Sequence, residues 1–432
     1  MTRQTGKYAP KRASYLIRTR TIQKQTIRSF SIIAACILLG LSAHVVALNV
    51  FASQETEAGS RTANAQSVSD STASGTNAVK FSTASGITCN INATTATFTS
   101  ALSSATAGQT ICLASGNYGV WNGVSKAITI ANQPSATPII ELDLNGNANG
   151  FTLDGLTISS GYTSPASKNV TIKNSTFQGM MIIDSAANMN LVLDHNTHNN
   201  INTCAQCYAG RVTVMGTGGS NSVTIKNSMF DGGNADGIRA DTVGVVIEGN
   251  TFMNLIDQDP FHTDPIQIYG GSNLVIRGNL FIGGGGGPNG NVAAGIMEAD
   301  GTSNNLIEYN VFTPGNHGEA MTWYHDNGSI IQHNTLINDT IGLGSKSACG
   351  GCTTTIRNNI LGGIGNGGGG NNVGYTSSYN LFTSGSAIGT GSITGTPSYV
   401  GPVNTWAGYL LSNGSAGKNA ASDGKDMGIN SY

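Results

Sequence analysis

Between Leu153 and Phe382 one short phrase recurs ten times: an aliphatic residue, two variable positions, usually Asn or Ser, one further residue, then usually a large apolar side chain. Examples are LDGLTI (Leu153 to Ile158), IKNSTF (Ile172 to Phe177), IEGNTF (Ile247 to Phe252) and IRNNIL (Ile356 to Leu361). Successive fourth positions are 19 to 32 residues apart. A drifting period of that size, built of short β-rich units between glycines, defines a solenoid whose coils bury their apolar face only by stacking. The expected fold is therefore all-β, a parallel β-helix of about ten coils.

Within the phrase the aliphatic residue ends a strand, the Asn or Ser turns inward, and the final apolar residue returns to the core. Asn tolerates left-handed backbone and bonds its own turn, so stacked Asn residues are expected to form an internal ladder. The residue after each aliphatic position gives a second register mark: Asp154, Lys173, Asp194, Lys226, Glu248, Arg277, Glu308, Gln332, Arg357. Signs alternate almost throughout, as expected for outward neighbours on coils ~4.8 Å apart. These charges read as a solvated structural ladder.

The ends differ in composition. Residues 1–28 hold eight Lys or Arg and no acid, and an apolar run follows to about Ala52. Basic residues before an apolar stretch read as a signal peptide or a membrane anchor over 29–52, with 1–28 on the cytoplasmic side. Residues 53–80 read as a flexible Ser/Thr/Ala/Gly linker, and 81–432 as the β-helix domain with its C-terminal cap. The chain is expected to be secreted or held at the outer face of the cytoplasmic membrane. Beyond residue 54 the formal charge is 13 − 23 = −10, which argues against a nucleic-acid partner. A monomer is expected.

Of the seven cysteines, Cys36 lies in the apolar run. The six others read as disulfides in an exported chain: Cys89 with Cys112, and two short loops closed by Cys204 with Cys207 and Cys349 with Cys352. A zinc site built from the two CxxC units is the alternative.

GQTICLASGNY (Gly108 to Tyr118) and DGKDMGIN (Asp423 to Asn430) resemble the opening and tail of pectate-lyase-like right-handed parallel β-helix proteins, and the repeats between them resemble those of the same superfamily. The resemblance spans about residues 80–430. It implies a right-handed winding with a short N-terminal capping helix, within a superfamily of lyases, hydrolases, epimerases and non-catalytic adhesins. ADGIRADTVGVVIEGNTF (Ala235 to Phe252) and HTDPIQIYGGSNLVIRGNLF (His262 to Phe281) resemble a DGI…H-x-D-x-[IF]-Q signature of bacterial secreted β-helix proteins suspected to act on carbohydrate.

Aligned on the ladder, a second column emerges upstream. It holds Asn234-x-Asp236-x-Ile238-Arg239, His262-x-Asp264-x-Ile266-Gln267, Gly295-Ile296-Met297-Glu298 and His317-x-Glu319-x-Met321-Thr322. Its Ile/Met positions fit the inside of a strand, with the flanking polar residues lining a groove suited to an extended polymer. Candidate catalytic residues are Asp236, Arg239, His262, Asp264, His317 and Glu319. Gln267, Trp323, Tyr324 and Lys346 are candidates for binding substrate, the two aromatics as a sugar-stacking platform. In a lyase, Asp236, Asp264 and Glu298 would hold Ca²⁺ against a uronate carboxylate while Arg239, Lys346 or a His removes the adjacent proton. In a hydrolase, Asp236, Asp264 and Glu319 would supply the acid and base. The polysaccharide lyase is the leading expectation. A glycosidase, a uronan epimerase and an adhesin of the cell-wall polysaccharide remain alternatives.

Overall fold

The outward charges stack in the expected register at every step. Lys173 pairs with Asp154 and Asp194, Lys226 with Asp194 and Glu248, and Arg277 with Glu248 and Glu308. Gln332 then follows Glu308, and Arg357 follows Gln332. Lys173 reaches Asp154 at 3.2 Å and Arg277 reaches Glu248 at 3.0 Å. Neutral Gln332 donates to Glu308 at 2.8 Å and accepts from Arg357 at 3.0 Å.

These residues sit in one parallel sheet of thirteen strands. Ten of the strands carry the repeated phrase, and the first three, Ile91–Ala93, Thr110–Leu113 and Thr129–Asn132, precede it. The structure, a computed structural model, describes residues 65–69, 77–81, 87–146, 148–202, 210–256, 263–283, 292–299, 301–313, 317–324, 326–344, 353–366 and 374–430. The chain divides into two units, Met1–Gly86 and Ile87–Tyr432. In the first, Ala65–Ser69 runs antiparallel to Asn77–Phe81, across the end of the segment read as a linker. The basic head and the apolar run lie outside the described residues. No helix among the described residues is long and apolar enough to cross a membrane.

In the second unit the coils that carry the phrase leave the charge-ladder sheet through the predicted inward turn. Asn250, Asn279, Asn310, Asn334, Asn359 and Asn380 are buried and pass one Nδ2–H to the next Oδ1 at 2.9 to 3.1 Å. One detail differs from expectation. The left-handed residue is not the inward Asn but the one before it, as at Asn174, His195, Asn227, Tyr309 and Asn358, with φ of 50° to 59°. That position takes residues that tolerate left-handed backbone, chiefly Gly and Asn, while the inward position needs an amide that can donate and accept at once.

The last position of the phrase forms a second sheet, whose inner side chains stack along the axis. Phe177, His198, Phe230, Phe252, Phe281 and Phe312 follow one another with ring centroids 4.3 to 5.0 Å apart. His198 is wholly buried in this stack, and burial, aided by nearby Arg211, pushes its pKa down to about 3. At the N-terminal edge the helix Phe98–Ser104 lays Phe98 and Ala101 on the core. Lys126 donates to the carbonyls of Leu102, Ser103 and Ala105 at its C-terminus. Cys89 and Cys112 form the expected disulfide there. The closing segment packs against the outer side of the second sheet, where Met427 and Ile429 meet Ile360, Leu381 and Val311.

Candidate functional site

A third set of strands follows the second, and its pairing fixes which side chains share a face. Val212, Ile238, Ile266, Ile296, Met321 and Ile341 align in sequence and are buried. One residue further along, the outward column runs Thr213, Arg239, Gln267, Met297, Thr322, Gly342. This is the alignment the sequence column implies. It also shows how far apart its members are. Arg239 and Thr322 are separated by three coil steps, ~14 Å along the axis at ~4.8 Å per step. The candidate residues therefore form two groups rather than one centre.

The first group surrounds Glu319. Glu319 pairs across the strands with Ala294, and the register that sets Met321 beside Ile341 puts Asp339 on the following coil. Thr322 donates to Glu319 Oε2 at 3.1 Å. A Cβ at Gly342 would collide with the Glu319 carboxylate, so the bare glycine is the notch in which that carboxylate lies. The backbone at Gly342 is not left-handed, so space, not φ, demands glycine here. Burial pushes the Glu319 carboxyl above its usual range; the Thr322 hydroxyl holds it down and Asp339 pushes it up again. Asp339 itself accepts the N–H groups of Ala320 and Thr340 at 2.9 and 2.7 Å. Tyr324 completes the group. Its phenol is pushed up by burial and then by the charges of Glu319 and Asp264.

The second group lies two and three coils earlier. Arg239 Nε donates to Asp241 at 2.7 Å, and its guanidinium sits 5.3 Å from the centre of the Tyr269 ring. Gln267 pairs with Arg239 on the next coil.

Several expectations are corrected. Glu298 and Trp323 are paired with each other and are completely buried, on the inward column that continues from Ile268 to Leu343. Trp323 is thus a core residue, not a stacking platform. The Glu298 carboxylate accepts from the Thr302 hydroxyl at 2.8 Å and from the Tyr324 N–H at 2.7 Å. Asp236 and Asp264 are occupied in the same way. Asp236 accepts the N–H of Asp264 at 2.9 Å, and Asp264, wholly buried, accepts that of Ala294 at 3.0 Å. The three carboxylates proposed for calcium thus bind backbone and hydroxyl donors, one of them facing the interior, and do not fit a shared calcium site. No cluster of three or more potential metal-ligating side chains occurs among the described residues. His317 contributes backbone to its strand, opposite Val292. His262, Lys346, Cys204, Cys207, Cys349 and Cys352 lie outside the described residues.

Asp339, Gly342, Asp241 and Tyr269 were not singled out from the sequence. Asp339 and Gly342 could have been found by carrying the column one coil further, since Asp339-x-Ile341-Gly342 repeats Glu319-x-Met321-Thr322.

The chain from residue 212 to 386 matches the family described as the right handed beta helix region. Fold and pairing together define the second unit as a right-handed parallel β-helix. No curated protein matches. Among solved structures, the PL6 family alginate lyase AlyGC is 15% identical with a TM-score of 0.43, covering 77% of this chain and 58% of that one. A PL6 family polysaccharide lyase from Pseudopedobacter saltans is 12% identical with a TM-score of 0.45, covering 68% and 92%. The pectate lyase Pel9A is 15% identical with a TM-score of 0.31, covering 77% and 90%. The match thus spans little more than half of AlyGC's length.

Proposed function

We propose that the chain is an extracellular polysaccharide lyase that cleaves a uronate-containing polymer by β-elimination at Glu319 and Tyr324. The observation that carries this reading is the Glu319 carboxylate, set in the Gly342 notch, raised in pKa by burial and neighboured by a phenol whose pKa is raised as well. A base matched to its task needs a pKa closer to the working pH than a free carboxylate has. Glu319 would take the proton from the carbon next to the sugar carboxylate. The bond from the next carbon to the glycosidic oxygen would break as the ring double bond forms, and Tyr324 O–H would protonate the departing oxygen. Lys346, three residues beyond Leu343 in the chain, is the cation we assign to the sugar carboxylate. The basic head and apolar run support export, and the −10 charge of the remainder requires such a cation for a polyuronate to approach.

Hydrolysis is the second reading, favoured by the placement of Glu319 and Asp339 on successive coils. A spacing of ~5 Å suits a retaining carboxylate pair.

The test is a panel of uronate and neutral polysaccharides. Ultraviolet absorbance from an unsaturated sugar means elimination; reducing ends without it mean hydrolysis; retention without cleavage means a binding rod. Glu319→Gln is expected to lower turnover by at least ~100-fold with the circular dichroism spectrum and melting temperature preserved. The elimination rate should rise as pH climbs through the raised Glu319 pKa, because the base must be ionised. A Glu319→Gln variant that cleaves at the parent rate refutes the assignment.

A further inference from the structure

The Arg239 group has no part in the chemistry at Glu319, since Arg239 and Thr322 are three coils apart on one outward column. Its own construction is specific. Tyr269 is 45% exposed and offers an aromatic face to solvent. Arg239 braces it, with the guanidinium 5.3 Å from the ring centre and Nε bonded to Asp241 Oδ2. Ala240 pairs with Ile268, so Asp241 stands beside Tyr269 on the neighbouring coil. Asp241 Oδ1 is shielded from solvent yet has no hydrogen-bond partner among the described residues. A shielded carboxylate oxygen without a donor is costly, and because the Asp241 side chain is 19% exposed, a turn of its carboxylate brings that oxygen to a donor arriving from outside.

We propose that Tyr269, Asp241 and Arg239 form a sugar-binding subsite, in which a pyranose ring lays its C–H face on Tyr269 and gives a hydroxyl proton to Asp241 Oδ1. The inference rests on the reading that this outward strip takes a polysaccharide, and it adds where a remote sugar unit is held. Tyr269 lies two coils from the coil that ends at Tyr324, through Ala299, or ~10 Å along the axis. A chain lying along the strip would reach both places. The Arg239–Asp241 pair is neutral as a unit, so the subsite accepts a charged or an uncharged sugar.

The test is electrophoresis of the full chain through gels containing each polysaccharide, carried out on the Glu319→Gln background so that no cleavage intrudes. Retention of that parent by at least one polysaccharide is expected. Tyr269→Ala should weaken retention about tenfold, Tyr269→Phe should preserve it, and Asp241→Asn should weaken it with the circular dichroism spectrum preserved. In the active chain, Tyr269→Ala should raise KM for long polymers and leave kcat unchanged. Unaltered retention in Tyr269→Ala, or a parent that no polysaccharide retains, overturns the subsite. Retention that depends on Tyr269 in a protein that cleaves nothing would sink the lyase reading and leave the subsite standing.

Discussion

Replacing Asn310 with Ala is the sharpest test of how the coils are held in register. Its side chain takes part in four hydrogen bonds: it accepts from the N–H and Nδ2 of Asn279, both at 3.0 Å, and donates to Ile276 O and Asn334 Oδ1, both at 2.9 Å. After truncation, Asn279 Nδ2 still reaches Ile247 O at 3.0 Å and Asn334 Oδ1 still accepts the Asn310 N–H at 3.0 Å. The Asn279 N–H is left without its acceptor inside the core. One orphaned buried donor costs ~1–3 kcal/mol, and each of the three other lost bonds costs ~0.5–1.5 kcal/mol net. The expected loss is therefore ~5 kcal/mol, a large share of the ~5–15 kcal/mol available to a folded domain. Guanidinium unfolding followed by circular dichroism measures it, with Asn149→Ala as the control. Asn149 is exposed and accepts from Asn169 across an outer turn, so its loss should stay within ~0.5 kcal/mol. A loss below ~1 kcal/mol for Asn310→Ala would show that the amide column follows the stacking of coils rather than enforcing it.

Two further outcomes are expected. Gly342→Ala should displace the Glu319 carboxylate and cut turnover by ~100-fold while leaving stability almost unchanged, because the backbone there suits alanine; a fully active variant would show that the notch is incidental. His198→Phe should remove an acid-sensitive element from the aromatic stack. The depressed pKa of His198 means that the unfolded chain takes up a proton the folded one refuses, so its stabilising contribution is complete above pH ~6.5 and is lost as pH falls towards about 3. Melting temperatures at pH 7 and pH 4 should accordingly diverge less in the variant than in the parent, and equal divergence would refute the assignment.

The fold was legible because its determinants are local and periodic. An aliphatic strand end, an inward amide and an apolar return recur in each coil, and the charges beside them report the stacking order directly. The site was legible only in part. Ile296 and Glu298 are two residues apart on one strand, as are Met321 and Trp323, so strand alternation alone sends Glu298 and Trp323 inward. Their polar and aromatic character drew them to the groove in the sequence reading, against that geometry. The roles of Asp236 and Asp264 depend on amides of the next coil, about 30 residues away, which no local pattern reveals. Tyr269 stands out only once Arg239 is seen to brace it.

The alternation of sign along the outer ladder carries a rule of parity for how such a molecule can change length. Excising the single turn that holds Glu248 would set Lys226 against Arg277, whereas excising it together with a neighbour would restore attraction. At Gln332, which gives to Glu308 and receives from Arg357, one turn is dispensable, for its removal would bring that acid and that base together. Growth and shrinkage by duplication are thereby steered towards even steps, with one neutral joint where an odd step does no harm.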